Sequence, residues 1–131
     1  MTRLRVSEAA ELLGVSPDTV RRAIDAGRLE ADTVGVGPTT VRGADVAALA
    51  ADLHPAPPVG AVGSTSSRNQ MRGIVTRVVS DTVMAQVEIQ AGPFRIVSLL
   101  SSEAVREMDL QVGSVAIASI KATHVTVGVP T

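Results

Sequence analysis

The sequence is defined first by what it lacks: it has no cysteine, no tryptophan, no tyrosine and one phenylalanine among 131 residues. Without cysteine it cannot form disulfide bonds or thiolate metal sites. The near absence of aromatic side chains argues against single-stranded nucleic acid as a ligand, because such recognition uses aromatic stacking platforms. No apolar run reaches membrane-spanning length, and the first residues lack the apolar core of a signal peptide. We therefore expect a cytoplasmic protein with no membrane partner.

Lysine is also scarce, since Lys121 stands alone beside eleven arginines. The net charge is −1; residues 1–53 carry six arginines against eight acidic residues, and the remainder carries six basic against five acidic residues. Neither half is a polybasic arm, so DNA binding would need a local arrangement of arginines. We find no nucleophile–base pair, no paired carboxylates and no metal-ligand spacing around His54 or His124. The sequence therefore predicts neither an enzyme nor a site for a free metal cation.

The clearest boundary in the chain is the segment HPAPPVGAVGSTSS at residues 54–67, which is rich in proline, glycine, serine and threonine. Such a composition is typical of a linker. We assign residues 54–65 to a flexible linker between a helical domain, residues 1–53, and a domain with strand periodicity, residues 66–131. The predicted fold class is therefore α+β, with two small domains.

Two short helices are predicted near the start of the chain. SEAAELLG is amphipathic, with Ser7 as the expected N-cap and Gly14 just past the helix end. In VSPDTVRRAIDAGRL, Ser16 is a strong N-cap candidate, Pro17 suits the first helical position, and Gly27 is the expected C-cap. Joined by the short turn GVS, the two helices form a helix-turn-helix signature.

A hairpin turning at residues 35–38 and a third helix over residues 44–52 complete the predicted first domain. This order and the residues VSEAAELLGVSPDTVRRAIDAGRLEA resemble the MerR/excisionase-type winged helix-turn-helix over residues 3–53. The resemblance implies that the second helix enters the major groove of double-stranded DNA. The alternative is that its arginines form an ordinary solvated face. The implied DNA-binding residues are Ser16, Asp18, Thr19, Arg21 and Arg22, with Arg28 and Arg42 near phosphates.

The second half of the chain changes to a period of two. TVMAQVEIQ alternates between apolar and polar residues, and RGIVTRVVS and FRIVSLLS flank it across short turns. SEAVREM is the one helical insert, and VGSVAIASIKATHVTVGV is expected to supply two further strands. About five strands and one short helix predict a small OB-like β-barrel.

Two tetrapeptides, SSRN at residues 66–69 and IKAT at residues 120–123, carry a second resemblance. Together with the strand–helix order between them, they make residues 66–129 similar to the Mop (molbindin) domain, a small TOBE-type module that binds molybdate or tungstate. The resemblance implies that the two motifs meet across a subunit interface, so that a homodimer is the minimum assembly and a hexamer of three dimers is open. The implied oxyanion-binding residues are Ser66, Ser67, Arg68, Asn69, Lys121, Ala122 and Thr123, with Ser98 and Ser101 as weaker candidates.

The donor chemistry of these motifs agrees with an anion site. A tetrahedral oxyanion presents only acceptor oxygens, so its site must consist of donors. Arg68 offers a fork of N–H groups, Lys121 a compact ammonium, and Ser66 and Thr123 offer hydroxyls. Backbone N–H groups of this region could complete the shell. The alternative is that Lys121 snorkels from a strand and that Arg68 is a solvated linker charge.

Two functions follow as hypotheses. The first is a molybdate- or tungstate-responsive DNA-binding transcriptional regulator, in which the helix-turn-helix recognises an operator and the Mop domain senses the oxyanion. The second is a cytoplasmic molybdate or tungstate storage protein whose helical half serves for assembly or protein contact. The acidic balance of residues 1–53 favours the second hypothesis, and the helix-turn-helix resemblance favours the first.

Overall fold

The structure is a computed structural model that describes residues 2–32, 37–53 and 64–131. The chain divides into two units, Met1–Ala56 and Pro57–Thr131. Each unit has its own sheet and its own hydrophobic core. The predicted flexible linker falls mainly on residues outside those that the structure describes.

The helices and strands follow the predicted order of a helical half and a strand-rich half. No described helix is long and apolar enough to cross a membrane. The first unit contains β1 (Arg3–Arg5), α1 (Val6–Leu13), α2 (Pro17–Asp25), β2 (Ala31–Asp32), β3 (Thr40–Arg42) and α3 (Gly43–Leu53). The second unit contains β4 (Asn69–Ser80), β5 (Met84–Ala91), β6 (Phe94–Ser101), α4 (Ser102–Glu107), β7 (Val115–Ile120) and a 3-10 turn (Ala122–His124).

The N-cap of α2 is the one expected from the sequence, but its C-cap is Ala26 and the expected Gly27 follows one residue later in the left-handed conformation, φ +78°. The Ser16 hydroxyl accepts the backbone N–H of Thr19 at 3.2 Å, and Pro17 occupies the first helical position. Gly14 ends α1 in the left-handed conformation, φ +68°, which costs glycine little. The expected N-cap of α1 is wrong, because the helix begins at Val6 after Arg5 and Ser7 lies inside its first turn. The helix starts earlier because the preceding residues pair as β1.

The core of the first unit lies between its three helices and its small sheet. Leu13 of α1, Val20 of α2, Val41 of β3 and Leu49 of α3 are all buried in one cluster. The sheet has the order β1-β3-β2, and both neighbouring pairs are antiparallel. The β2–β3 pair is the predicted hairpin, whose turn lies partly outside the described residues. Strand β1 was not predicted, because three residues of sequence RLR carry no usable periodicity.

The second unit is a curled antiparallel sheet in the order β6-β5-β4-β7. Val75, Val87, Ile89 and Val105 form its buried core, so α4 packs on one face of the sheet. The twelve-residue strand β4 pairs with β5 at its end and with β7 at its beginning. A register shift near residues 75–77 separates the two pairings. This long strand therefore holds both halves of the sheet together.

The predicted α+β class, with a helix-turn-helix unit and an OB-like unit, is confirmed, but the expected fifth strand is not formed. Residues 125–130 follow the 3-10 turn as irregular chain, and Val127 and Val129 are 91% and 86% exposed. Their alternation is strand-like, yet a strand needs a neighbour to accept its hydrogen bonds. The described part of the second unit is consequently a half-barrel with an open apolar groove of about 520 Å³.

Candidate functional site

The two tetrapeptides meet at one end of the β4–β7 ladder. Asn69, the first residue of β4, is the register partner of Ile120, the last residue of β7. The Asn69 side-chain amide donates to the Ile120 carbonyl oxygen at 3.0 Å, which fixes this end of the ladder. Arg68 immediately precedes Asn69, and Lys121 immediately follows Ile120. Strand pairing within one chain therefore brings the SSRN and IKAT motifs together.

This strand end has positive charge without a local counter-charge. Arg68 and Lys121 are both exposed, and within the described parts of the chain neither forms an ion pair. Neither tetrapeptide contains a carboxylate. Two cations that are not neutralised by the fold remain available to an anion in solution.

A polar open cleft of about 500 Å³ adjoins Arg68. Ser64, Thr65, Ser67 and Gln70 line it together with Arg68, and the Ser67 backbone N–H donates to the Thr65 hydroxyl at 3.1 Å. The half-buried Gln70 was missed in the sequence analysis. The strand period of two, which puts Gln70 on the same side as Arg68, could have identified it.

On the β7 side, the chain turns immediately after the lysine. Lys121 is extended, with φ −63° and ψ 140°, and its carbonyl accepts the His124 N–H at 2.9 Å. Ala122 and Thr123 lie in this 3-10 turn and are exposed. The turn therefore presents the expected donors of the IKAT motif to solvent at the same strand end.

The two weaker oxyanion candidates lie elsewhere in the sheet. Ser98 and Ser101 belong to β6, at the opposite edge from β7. The Ser101 hydroxyl accepts the Ala104 backbone N–H at 3.0 Å and so caps α4. Ser98 lines the apolar groove, to which Ser119 and Ile120 also contribute. Within one chain, therefore, neither serine belongs to the Arg68 cleft.

Two acidic groups of the second unit are held by the fold. Arg95 hydrogen-bonds the buried carboxylate of Glu88, which lowers the pKa of Glu88 and raises the pKa of Arg95. The Asp81 carboxylate accepts the backbone N–H groups of Met84 and Val83 at 2.7 Å each, and these bonds lower its pKa. Both carboxylates are thus fixed by local hydrogen bonds, apart from the motif residues.

In the first unit, most of the predicted DNA-binding arginines have acidic neighbours. Ser16 and Thr19 are also engaged, since their hydroxyl oxygens lie 2.9 Å apart while Ser16 caps α2. Arg22 is the only one of the four predicted arginines without an ion pair to another described residue. The pairs are Arg21 with Asp18 (3.0 Å), Arg28 with Asp52 (3.2 Å), and Arg42 with Glu30 (2.9 Å) and Asp45 (3.5 Å).

The two arginines of α2 line different clefts. Arg21 lines a cleft of mixed polar and apolar character with Arg5, a residue that was not among the predicted DNA contacts. Arg22 lines a separate, mainly apolar cleft with Arg28 and Leu53. The predicted DNA-binding surface is therefore divided between two sides of the helix.

Comparisons with known proteins match both units. The family described as "TOBE domain" matches residues 65–127, and the family described as "Helix-turn-helix domain" matches residues 3–53. A Haemophilus influenzae protein named "Probable molybdenum-pterin-binding protein" is 45% identical over 65 residues. That match spans 49% of this chain and 94% of the relative. These matches are to binding proteins and domains rather than to enzymes.

Two solved structures are also similar to the second half of the chain. The cytoplasmic molybdate-binding protein ModG, in a crystal form with molybdate bound, is 36% identical with a TM-score of 0.51. The match covers 53% of this chain and 50% of ModG, so this chain spans half the length of that protein. A molybdate-binding protein from Sporomusa ovata is 29% identical with a TM-score of 0.48, covering 50% of this chain and 97% of that one.

The Haemophilus influenzae relative establishes the family of the second unit, because this chain covers nearly all of that relative at 45% identity. The similarity falls on the unit that contains the SSRN and IKAT motifs, and the helix-turn-helix match falls on the other unit. Both resemblances drawn from the sequence are thereby confirmed. The chain belongs to the TOBE-domain family of the Mop type and carries a helix-turn-helix domain ahead of its TOBE domain.

Proposed function

We propose that this protein is a cytoplasmic, molybdate- or tungstate-responsive DNA-binding regulator. It acts by binding rather than by catalysis, with the oxyanion held by the second unit and the operator by the first. The observation that carries the oxyanion part is the position of Arg68 and Lys121 at one end of the β4–β7 ladder, where neither forms an ion pair with a described residue. ModG, which matches this unit, is a cytoplasmic molybdate-binding protein.

The chemistry of the strand end suits a doubly charged tetrahedral anion. Arg68 would donate two parallel N–H groups, and the Lys121 ammonium would add a compact charge. Ser66, Ser67 and Thr123 would donate through hydroxyl or backbone groups, with the backbone of Ala122 completing the shell. Asn69 has a different part, because its amide already holds the Ile120 carbonyl. It positions Arg68 by fixing the ladder.

A homodimer is part of the proposal, and a hexamer of three dimers is compatible with it. The open groove and the exposed Val127 and Val129 leave apolar surface that a second copy would cover. A second copy could also bring Ser98 of its own β6 toward a site that one chain leaves open to solvent. Light scattering of the purified protein should give at least twice the 13.5 kDa monomer mass. A monomeric mass at micromolar concentration would contradict the homodimer and a contribution of Ser98 to the site.

The primary test is calorimetric titration of the full chain with molybdate, tungstate and sulfate. We expect molybdate or tungstate to bind and sulfate, a smaller divalent tetrahedral anion, to bind far more weakly. Lys121→Ala should weaken binding strongly, whereas the matched control Arg106→Ala removes one exposed charge from α4 and should change nothing. If the wild type binds none of the three anions, the oxyanion function is refuted.

DNA binding by the first unit is proposed on the helix-turn-helix match and on the exposed α2. A dimer would present two copies of α2 to a palindromic operator. The bound oxyanion would regulate by favouring one arrangement of the two copies, because a ligand shifts an equilibrium only through its differential affinity for the two states.

One observation favours storage as a second candidate function. Arg28 and Arg42, which were expected near phosphates, are held by Asp52, Glu30 and Asp45. Binding to duplex DNA separates the two functions, because neutralised phosphates give a steep dependence of affinity on salt. A storage protein would bind the oxyanion and leave the duplex free at low salt.

A further inference from the structure

The cleft beside α2 has a mixed lining of cationic, hydroxyl and apolar side chains and contains no carboxylate. Its volume is about 360 Å³. Three segments contribute to it: the junction of β1 with α1, the middle of α2, and the residues that lead into β3. The lining residues are Arg5, Val6, Ser7, Arg21, Pro38 and Thr39.

Arg5 differs from its neighbour Arg3 on the same strand. Arg3 donates to the Thr40 hydroxyl at 3.1 Å and pairs with Asp32 at 3.3 Å. Arg5 is exposed and has no ion pair with any residue that the structure describes. The two side chains lie on the same face of β1, because they are two residues apart. The acidic residue of this sheet therefore neutralises Arg3 and leaves Arg5 available.

Arg21, the second cation of the cleft, is only loosely held. Its partner is Asp18, one turn earlier in α2, and the two side chains are 61% and 77% exposed. Exposed pairs of this kind contribute little to stability. An anion entering the cleft can therefore replace Asp18 as the partner of Arg21 at little cost.

We infer that this cleft binds a phosphate of the DNA backbone, with Arg5 on one wall and Arg21 on the other. The inference rests on the proposed DNA binding and assigns its phosphate contact to Arg5 in place of Arg28 and Arg42. Those two arginines are paired with Asp52, Glu30 and Asp45 of the same unit. A phosphate contact fixes the position of α2 on the duplex and carries no sequence information itself.

The test uses sequence-independent binding, so no operator is needed. The full-length protein is titrated into a labelled mixed-sequence duplex of about 30 base pairs, and fluorescence anisotropy is followed across a sodium chloride series. Each neutralised phosphate contributes about 0.9 to the slope of log K against log salt. We expect Arg5→Gln to reduce that slope by about 0.9 and Arg5→Lys to retain it. Arg106→Gln, which removes one exposed charge from the other unit, should leave the slope unchanged.

The outcomes distinguish failure of the phosphate contact from failure of the proposed DNA binding on which it rests. If the wild type binds the duplex and Arg5→Gln and Arg5→Lys have equal slopes, the phosphate contact is refuted while DNA binding stands. If the wild type binds no duplex at low salt, DNA binding and this inference both fail. The two Arg5 variants differ by one charge on similar stems, so a general loss of folding would reduce the affinity of both.

Discussion

The two units of this protein differ in how many of their basic side chains form ion pairs with other described residues. In the first unit, four of the six arginines form ion pairs with acidic neighbours. In the second, Arg95 is the only one of six basic residues that does so among the described parts of the chain. The numbers of charged residues in the two halves are similar. The difference therefore comes from arrangement and not from composition.

The arrangement separates charges that support the fold from charges that remain for ligands. Arg28 joins the end of α2 to α3, and Arg42 joins β3 to the start of α3, so their partners are residues of the same small core. Arg68 and Lys121 lie at strand ends, where neither motif carries an acid. The proposed phosphate contact of the first unit thus depends on two arginines, Arg5 and Arg21. The proposed oxyanion site of the second unit depends on the SSRN and IKAT motifs together.

The largest expected effect follows from removing an unpaired cation of the second unit. Arg68→Ala should weaken molybdate binding about 100-fold, which corresponds to about 2.7 kcal/mol, because it deletes two charge-assisted hydrogen bonds. Its thermal unfolding should be unchanged, since Arg68 has no ion pair with any described residue to lose. Calorimetric titration and circular dichroism on the same sample provide both measurements.

Arg68→Lys sharpens this experiment, because it keeps the charge and removes the planar fork. We expect an affinity between those of the wild type and Arg68→Ala. Full retention of affinity in Arg68→Ala would mean that the strand end is not the oxyanion site. It would also mean that the cations of this strand end do not serve ligand binding, which is the functional difference proposed between the two units.

The next largest effect tests the backbone that brings the motifs of the second unit together. A β-carbon on Gly73 would lie 2.5 Å from the Gln90 carbonyl oxygen and 2.7 Å from Cγ2 of Ile89. Gly73→Ala should therefore force β4 away from β5 and destabilise the second unit by about 1–3 kcal/mol. In the control Gly128→Ala, the new β-carbon meets nothing within 4 Å. Urea unfolding followed by circular dichroism measures both variants, and equal midpoints would contradict the close approach.

The sequence predicted local features well and features that depend on distant partners poorly. Ser16 and Gly14 were identified because a cap is set by neighbours within one turn. The second of the two strands expected within VGSVAIASIKATHVTVGV was wrong and β1 was missed, because pairing depends on an edge elsewhere in the chain. In the site, residue types and donor chemistry indicated an anion. Only the register of Asn69 with Ile120 shows that the motifs meet within one chain.

A moderate effect is expected from breaking an ion-pair cluster of the first unit. Arg42→Gln leaves Glu30 and Asp45 without their cation, and it should reduce the stability of that unit by about 0.5–1 kcal/mol, since the Arg42 side chain is 37% exposed. Oxyanion affinity should not change. Arg22→Gln is the matched control, because Arg22 is exposed and has no ion pair with a described residue. If both variants unfold at the wild-type midpoint, the pairs of the first unit contribute nothing measurable.

The smallest effect concerns the ion pair of Glu88 with Arg95 in the second unit, and it depends on pH. The Arg95 hydrogen bond lowers the pKa of Glu88 below its ordinary value of 4.5. A depressed folded-state pKa means that the stabilisation is fully present above pH 4.5 and is lost as pH falls toward the folded-state value. The pKa of Asp81 is lowered too, so the acid limb of the wild-type profile contains both groups.

The difference between wild type and Glu88→Gln isolates the Glu88 contribution. We expect the two proteins to differ in unfolding free energy at pH 7 and to converge below pH 4.5, because protonation removes the same charge that the substitution removes. Urea unfolding at a series of pH values measures this difference. A difference that stays constant down to acid would mean that Glu88 acts through packing rather than charge. The Glu88–Arg95 ion pair would then not stabilise the second unit in the way that the arginine ion pairs are expected to stabilise the first.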